Sequence, residues 1–528
     1  MLEIINFYCA LTLLIIWIWA FYMVLHRDLM MLQQNSYRPD RYARWADKSG
    51  ESTSIARCCY LLATFMLAVK SFPFVASATV AATVMLWNIV VLARRKYKKP
   101  LVFTPRARRI MGVSLCMGFV IVAAVVWLAG LQYGCVAAGA LLFLSPMVML
   151  GANLILCPVE NRITRKYYNE AASILASMPS LKIIGITGSY GKTSTKHYLH
   201  RILSEHFDTV MTPGSYNTTM GVVRTIREYL KPYNEVFIVE MGAKQPGDIR
   251  EICDLVHPTT GIITAVGEQH LESFKTIENV QRTKFELVDA LPADGLAVLN
   301  NDFQYVANRK VNNVKALRYA VTATDGADYT VENVNYGRHG SSFTVIGPDG
   351  TKIELTTPLV GECNISNLMA AVIVALKLGV PEQKIRYAVE HMEQVEHRLN
   401  MKRTPGGLTI IDDAFNSNPD GSRMALDVLS RMTPGQRIII TPGMIELGEK
   451  QAELNRKFGE KIGHSVDIAI VVGHYNRDAI TEGILSTGFN AEKLFTAETF
   501  AEAQRLMISM ARPGDTVLYE NDLPDTFK

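Results

Sequence analysis

A glycine-rich segment followed by a lysine and two hydroxyl residues is the part of the sequence best suited to chemistry. It consists of Gly188, Ser189, Tyr190, Gly191, Lys192, Thr193 and Ser194. Glycines let the backbone curl so that successive N–H groups face one anion, and the N-terminal end of a following helix adds positive charge there. In such a loop the lysine lies along the β- and γ-phosphates of a nucleotide, and the threonine hydroxyl takes a position on Mg²⁺. The segment therefore predicts a nucleoside triphosphate site.

The residues on either side supply the strand and the helix that this motif requires. Residues 183–186 form an apolar run typical of a buried strand, and an amphipathic run that includes 198–202 follows the loop. The common phosphate loop has its first glycine where this sequence has Ile186. Here the glycine comes at Gly188, so we expect a variant class of loop. The alternative is a glycine–serine turn with one exposed lysine.

An acidic residue near the end of another apolar run could complete a magnesium site. Residues 235–241 are typical of a buried strand, and Glu240 lies near its C-terminal end. Ligands of open α/β sheets collect at that edge, and a carboxylate there can hold Mg²⁺ directly or through water. The alternative is a carboxylate that caps the next turn. Farther along, His270 and Lys284, taken alone, are typical of a structural histidine and a solvated lysine.

Strands and helices alternate from residue 181 onward, which predicts largely parallel sheets with helices on their faces. We expect a central α/β ATP-binding domain at 181–397, with a sheet insertion at 318–359. A second doubly wound domain, of the Rossmann-like α/β kind, is expected at 398–528. No GxGxxG turn opens this domain, so a dinucleotide site is not indicated.

Composition argues against several kinds of partner and site. The chain has 528 residues and a net charge of only +4, without a long block of like charge, so we expect no nucleic-acid partner. Its eight cysteines include no CxxC spacing, which indicates neither a zinc site nor a disulfide framework and fits a reducing compartment. Hydrophobic residues make up 49% of the chain, and the excess lies within residues 1–157.

Residues 1–157 are predicted to form an α-helical membrane region with about five spans. The apolar stretches are 5–25, 58–69, 74–93, 111–130 and 133–156. Basic residues concentrate after the first and third stretches, and the positive-inside rule places both basic segments in the cytoplasm. An even number of crossings must separate them, so the second and third stretches form a hairpin. Because the second stretch is short, four spans is the alternative.

This topology places the N-terminus outside the cell and everything after Cys157 in the cytoplasm. Residues 158–180 are expected to form an amphipathic linker helix at the membrane surface. No acid–base pair is recognisable within the spans, so a plain anchor is favoured over transport. An ATP-driven transporter is also disfavoured because the sequence has no LSGGQ-like segment.

Taken together, these segments resemble the Mur ligases, and within them the MurF type, over residues 181–516. The loop at 188–194 resembles the family's phosphate loop, including its displaced glycine. Further segments resemble family motifs in the same order and with similar spacing. Asn217-Thr218 resembles the start of the family's Asn-Asn-x-x-Gly segment, Glu240 resembles the acid of its magnesium strand, and His270 resembles the histidine of its Ala-His-Leu-Glu motif. Lys284 falls where the family carries a carbamylated lysine, Arg398 resembles the arginine of Gly-Arg-Leu, and Asp413, Asn416 and Asn418 resemble the family's nucleotide segment.

The resemblance implies an ATP-dependent ligase that joins a carboxylate to an amine through an acyl phosphate, in peptidoglycan precursor synthesis. It implies ATP contacts from the phosphate loop and from Asn364, Asn367, Arg398, Asp413 and Asn416. It implies two Mg²⁺ sites, one at Thr193 and Glu240, the other at His270 and a carbamate on Lys284. The catalytic set would be Lys192, Glu240, His270 and Lys284. Substrate contacts are expected from Asn217, Thr218, Glu446 and Asn418.

Several positions depart from the family pattern. The small domain that holds the uridine nucleotide in MurF enzymes is replaced by the membrane region. Cys363 stands where the adenine-binding helix begins with histidine, and Gly443 and Asn455 replace an aspartate and a histidine. The ending 519–525 replaces Lys-Gly-Ser on the side of the incoming amine, so the acceptor is left open as an amino acid or a dipeptide.

The leading prediction is a multi-pass ligase of the bacterial inner membrane with cytoplasmic catalytic domains. Its partners would be the lipid bilayer, a peptidoglycan-type precursor, which could be lipid-linked, and an amine. Two alternatives stay open: a Mur-type ligase that amidates a different polymer or metabolite, and a catalytically silent ATP-binding scaffold. Retention of both metal-binding sets speaks against the scaffold.

Overall fold

A computed structural model of the chain describes residues 1–50, 54–69, 71–95, 97, 99–269, 271–337, 340–414 and 417–522. The chain divides into two units, Met1–Arg165 and Lys166–Asp522. The first unit is helical, and the second contains three sheets with helices on their faces.

Helices alone form the first unit. They are α1 (Leu2–Gln34), α2 (Pro39–Lys48), α3 (Ile55–Ala68), α4 (Phe74–Arg94), α5 (Pro105–Ala129), α6 (Leu131–Phe143) and α7 (Ser145–Ala176), the last of which ends in the second unit. Small residues allow close packing between them: a Cβ on Gly118 would lie 2.3 Å from the Phe21 ring, and one on Gly139 would lie 2.4 Å from Thr64. Such contacts are typical of helix pairs in membranes.

The number of spans is lower than the five predicted. Among the described residues, α1, α4 and α5 are long and apolar enough to cross a membrane, and α6 with α7, bent by 79°, could form a fourth span. Helix α3 has only 14 residues, which reach about 21 Å, whereas a bilayer core is about 30 Å thick. The linker helix predicted at 158–180 is the C-terminal part of α7, which continues through Pro158.

A buried acid–base pair, which the sequence analysis did not expect, joins helices of the first unit. Arg57 lies 3.3 Å from Asp28, and both side chains are buried. The Ser145 hydroxyl donates to the other Asp28 oxygen at 2.6 Å, and Arg57 also donates to the Phe143 carbonyl at 3.0 Å. The partners lie on three separate stretches of chain, around residues 28, 57 and 143–145, so spacing along the sequence could not reveal the pair.

The central domain of the second unit is built on a six-stranded parallel sheet. Its elements are β1 (Lys182–Thr187), α8 (Lys192–Leu203), β2 (Thr209–Met211), α9 (Thr219–Glu228), β3 (Val236–Glu240), α10 (Asp248–Val256), β4 (Thr260–Ile263), α11 (Leu271–Phe274), α12 (Ile277–Asp289), β5 (Leu296–Asn300), α13 (Gln304–Ala307) and β6 (Lys315–Tyr319). The strand order is β2-β3-β1-β4-β5-β6. This order places the ends of β1, β3 and β4 side by side at the edge where ligands collect.

An antiparallel sheet and a buried helix complete the central domain. The sheet contains β7 (Thr330–Gly337), β8 (Gly340–Ile346) and β9 (Lys352–Thr357) and falls within the predicted insertion. The helices α14 (Glu362–Lys377) and α15 (Glu382–Glu390) follow it. Residues 364–375 of α14 are all buried, and residues 368–375 are apolar on every side, as expected of a helix inside a core. This helix packs in one core with α8, the parallel sheet and the antiparallel sheet.

The C-terminal domain is doubly wound, as predicted. Its elements are β10 (Asn400–Arg403), β11 (Thr409–Asp413), α16 (Pro419–Ser430), β12 (Arg437–Thr441), α17 (Gln451–Ser465), β13 (Ile468–Val472), α18 (Arg477–Ser486), β14 (Leu494–Ala497), α19 (Phe500–Met510) and β15 (Thr516–Glu520). The order is β10-β11-β15-β12-β13-β14, and only β10 runs antiparallel to its neighbour.

Candidate nucleotide site

The predicted phosphate loop connects β1 to α8 and needs glycine at its last position. Gly191 has φ +80°, and a Cβ there would lie 2.4 Å from Asn367 Oδ1. The Lys192 ammonium donates to the loop's own Gly188 and Ser189 carbonyls at 2.6 and 3.3 Å. Burial lowers the pKa of Lys192 to about 8, and the Arg398 charge acts in the same direction. The loop therefore holds a lysine whose proton is lost more easily than usual.

Glu240 ends the neighbouring strand β3 and faces the same helix. Its Oε1 accepts from the Thr193 hydroxyl at 3.2 Å and from the Asn217 amide at 2.9 Å. The side chain is 1% exposed. Burial alone would raise the pKa of Glu240, but the ammonium groups of Lys196 and Lys192 outweigh burial and lower it. The structure thus brings together three predicted site residues, Thr193, Asn217 and Glu240.

Lys196 belongs to this cluster, and the sequence analysis missed it. Its side chain is fully buried, with Nζ 3.0 Å from Glu240 Oε2. The same ammonium donates to the Gly214 carbonyl at 2.6 Å, in the segment that leads to Asn217. One signal was available, because a residue four positions after Lys192 lies on the same face of the helix.

Lys284 lies on α12 and is 2% exposed. It makes no hydrogen bond or ion pair with another described residue. Burial lowers its pKa well below the usual lysine value, and the Lys192 charge adds to that effect. Lys284 is therefore not the solvated lysine that it would be taken for alone. The predicted partner His270 lies outside the described residues.

A pocket beside the phosphate loop contains most of the predicted nucleotide contacts. The central domain contributes Tyr190, Gly191, Ser194, Asn364 and Asn367, and the C-terminal domain contributes Arg398, Asp413, Asn418 and Glu520. The Asn364 carboxamide also accepts from the Tyr198 hydroxyl at 2.8 Å and donates to the Val360 carbonyl at 2.9 Å. Asn416 lies outside the described residues.

Three residues predicted to contact substrate have structural roles as well. Thr218 and Asn418 cap α9 and α16, accepting from the backbone N–H groups of Gly221 and Gly421. Such caps stabilise the first turn of a helix. Glu446 has φ +62°, and its carbonyl accepts from the Glu272 N–H at 3.3 Å. Glu446 is not among the described residues that line the pocket.

Two carboxyl groups meet in the pocket wall, a feature that the sequence analysis did not anticipate. Asp413 and Glu520 end β11 and β15 and are register partners. Glu520 is fully buried, and its Oε1 accepts from the Ser417 and Ser422 hydroxyls at 2.6 and 2.9 Å. Burial raises the pKa of Asp413 to about 6 and raises the pKa of Glu520 well above its usual value. Like charges so close cannot both ionise easily, so each carboxyl group disfavours ionisation of the other.

These features define a phosphate-loop α/β protein in which two domains of one unit line a common pocket. Two family models match the same part of the chain: the Mur ligase middle domain over residues 186–375, and the Mur ligase glutamate ligase domain over residues 397–519. The chain belongs to the Mur ligase family, as its motifs predicted. Members of this family are ATP-dependent ligases that form carbon–nitrogen bonds, so the prediction of such an enzyme is confirmed.

Relatives named as MurF enzymes agree with this assignment. The UDP-N-acetylmuramoyl-tripeptide–D-alanyl-D-alanine ligase of Escherichia coli K12 is 28% identical, over 65% of this chain and 77% of the relative. The enzyme of that name from Buchnera aphidicola subsp. Acyrthosiphon pisum is 31% identical, over 58% and 67%. A crystal structure of MurF from Acinetobacter baumannii matches with a TM-score of 0.62 and 26% identity, over 68% of this chain and 77% of that one.

Proposed function

We propose that this chain is a membrane-anchored ligase of the MurF type, which uses ATP to join the carboxylate of a peptidoglycan-type precursor to an amino acid or dipeptide. The observation that carries the proposal is the convergence of Lys192, Thr193 and Glu240 beside a pocket lined by both ligase domains. The relatives whose names specify a muramoyl-tripeptide and D-alanyl-D-alanine support the substrate class.

The charges around the loop suit the first chemical step. A carboxylate is a poor acyl donor, because its leaving group would be oxide. Attack of a carboxylate oxygen on the γ-phosphorus forms an acyl phosphate and releases ADP; an amine then attacks the acyl carbon, phosphate leaves, and the amine proton is lost. Two anions must approach each other in the first step, so cations are required. Lys192 and Arg398 would screen the phosphates, and Lys196 would keep Glu240 in place.

One magnesium position fits the residues present. Thr193 and Glu240 offer two oxygens to a hard cation, and such sites are commonly completed by phosphate oxygens and water. The described residues contain no group of three or more His, Cys, Asp or Glu side chains that could hold a metal, so the protein would contribute few ligands. When bound, Mg²⁺ would neutralise phosphate charge next to Lys192.

The second predicted site would need a carbamate on Lys284. An unmodified lysine offers no oxygen to Mg²⁺, but a neutral amine can attack CO₂, which forms an N–C bond, releases a proton and leaves an anionic carbamate. The lowered pKa of Lys284 supports this reaction. The addition of CO₂ should increase the mass of Lys284 by about 44 Da, and incubation with ¹³C-bicarbonate should give a ¹³C carbamate signal. A Lys284→Ala variant should lose ligation and regain part of it with short-chain acids. Wild-type turnover by Lys284→Ala would reject the role.

The membrane region supports a lipid-linked acyl substrate. The apolar helices of the first unit occupy the part of the chain where MurF enzymes carry the domain for a uridine nucleotide. An anchored enzyme and a lipid-linked substrate share one surface, which raises their effective concentration. A different polymer or metabolite as the amidated substrate is the second candidate, favoured by the Glu520 and Asn521 ending in place of the family's Lys-Gly-Ser.

The test is phosphate release by the full chain in detergent, with nucleotide-linked and lipid-linked muropeptides and a panel of amines. We expect turnover with a lipid-linked acyl substrate and none with Lys192→Met. Turnover only with soluble UDP-muramoyl-tripeptide and D-Ala-D-Ala would restore the substrate of the named relatives. Nucleotide binding without turnover on any substrate would favour the silent scaffold.

A further inference from the structure

The carboxylate of Asp420, in the first turn of α16, inserts between two loops of the central domain. The Tyr190 hydroxyl, in the phosphate loop, donates to Asp420 Oδ2 at 2.9 Å. On the other side, a Cβ on Gly267 would lie 2.9 Å from the same oxygen and 3.1 Å from the Tyr190 ring. Glycine at 267 therefore leaves the space that the carboxylate occupies. We call Tyr190 and Gly267 together the Asp420 socket.

The socket is fixed to the phosphate loop. The Ser189 hydroxyl accepts from the Gly267 N–H at 3.0 Å and lies 3.1 Å from the Gly267 carbonyl. The Tyr190 ring packs edge-on against Phe303, with ring centroids 5.1 Å apart, and the Tyr190 carbonyl accepts from the Thr264 hydroxyl. A displacement of Asp420 would therefore act directly on the segment that contacts phosphate.

A second tyrosine of the central domain reaches the same helix at another point. The Tyr336 hydroxyl, on β7, donates to Asp427 Oδ2 at 2.6 Å, and the Arg431 guanidinium lies over the Tyr336 ring at 4.5 Å. Tyr336 is not among the described residues that line the pocket. The Tyr190–Asp420 and Tyr336–Asp427 contacts thus cross the same domain boundary, and of these two the first involves the phosphate loop.

We propose that Tyr190 is a positioning residue that couples nucleotide binding at the phosphate loop to docking of the C-terminal domain. This inference rests on the proposed function in that ATP occupies the pocket. Because both domains line the pocket, nucleotide binding depends on their docking, and the Asp420 contact joins the two events. Coupling of this kind is reciprocal, so bound nucleotide strengthens docking as docking strengthens binding.

The experiment compares three variants of the full chain in detergent with the Tyr336→Phe control. Tyr190→Phe removes one hydroxyl, Gly267→Ala fills the socket while leaving the hydroxyl in place, and Asp420→Asn keeps an acceptor oxygen. Affinity for ADP and for a non-hydrolysable ATP analogue is measured by calorimetry, and KM for ATP and kcat by phosphate release. Thermal unfolding identifies any variant that fails to fold.

Because the Tyr190 hydroxyl donates to a charged group, we expect Tyr190→Phe and Gly267→Ala to lose about tenfold in nucleotide affinity. Asp420→Asn keeps an acceptor oxygen and should lose about threefold. KM for ATP should rise more than kcat falls, since saturating nucleotide restores docking by mass action. Tyr336→Phe also removes a docking contact but does not touch the phosphate loop, so its loss of nucleotide affinity should be clearly smaller than that of Tyr190→Phe. Equal losses in Tyr190→Phe and Tyr336→Phe, or unchanged affinity in both Tyr190→Phe and Gly267→Ala, would overturn the coupling. If the wild-type chain itself binds no nucleotide, the proposed function fails as well.

Discussion

Replacing Lys196 by methionine should destabilise the central domain strongly, because it breaks a buried ion pair. Lys196 is fully buried and Glu240 is 1% exposed, with 3.0 Å between Nζ and Oε2. Methionine fills most of the space but removes the ammonium that forms the ion pair with the Glu240 carboxylate, and the Gly214 carbonyl loses its donor. Removing one partner of a buried pair costs about 3–5 kcal/mol. For a domain of about 200 residues this corresponds to a fall in Tm of about 6–20 °C.

The assay is thermal unfolding followed by intrinsic fluorescence, with two comparisons. Lys457→Met removes an exposed i,i+4 partner of Glu453, whose side chain is 54% exposed, and should leave the Tm nearly unchanged, because solvent screens such pairs. The double variant Lys196→Met/Glu240→Gln removes both buried charges and keeps an acceptor for Thr193 and Asn217. It should recover most of the stability that either single variant loses, because no unpaired charge remains.

The reasoning would be refuted by a Lys196→Met variant that unfolds within about 2 °C of the wild type, or by a double variant no more stable than the singles. The first result would mean that Glu240 is stable without the ammonium. The second would mean that Lys196 acts through packing rather than charge.

Three further predictions follow from the pKa shifts. Calorimetry should find that ADP binding weakens as pH rises through about 8, where Lys192 loses its proton. Between pH 8 and the unfolded lysine pKa of about 10.4, the unfolded chain binds more protons at Lys192 than the folded chain. The contribution of Lys192 to the free energy of unfolding should therefore grow over this range. Glu520→Gln should raise the free energy of unfolding at pH 8 by on the order of 1–3 kcal/mol. The substitution removes a carboxyl group whose ionisation is disfavoured and keeps an acceptor for Ser417 and Ser422. The gain should vanish below about pH 4, and a loss of stability at pH 8 would contradict the prediction. Burial raises the pKa of the Cys363 thiol to about 12, so iodoacetamide at pH 7.5 should modify Cys363 in the folded chain far more slowly than after denaturation in urea; mass spectrometry of the peptide decides.

The sequence predicted the parts of the site that lie close together along the chain. A strand, a glycine-rich turn and a helix that follow one another directly determine the phosphate loop, so its residues could be named in advance. The end of a second apolar strand added Glu240, and the resemblance to a family added Asp413. The two six-stranded sheets could be predicted from the alternation of strand and helix patterns. Parallel strands need a crossover connection, which is usually a helix. These predictions depended on local spacing or on motifs already known.

Contacts between distant segments could not be predicted in the same way. The Lys196–Glu240 pair depends on the alignment of α8 with β3, and the Tyr190–Asp420 bond joins residues 230 positions apart. The carboxyl pair of Asp413 and Glu520 depends on the register of β11 with β15. Hydropathy alone also sets no minimum length for a membrane span. The segment of α3 is therefore among the predicted spans, although its 14 residues are too few to cross a bilayer.

The surplus of positive charge beside the phosphate loop argues for a polyanionic ligand. Lys196 and Lys192 both lower the pKa of Glu240, and the charge of Arg398 lowers the pKa of each of these lysines. Charges removed from water are costly unless they are paired, and the single carboxylate of Glu240 cannot balance both Lys192 and Lys196. A triphosphate would supply the missing negative charge. A scaffold protein would gain nothing from keeping Lys284 buried without a partner among the described residues, whereas a ligase that brings phosphate and carboxylate together would.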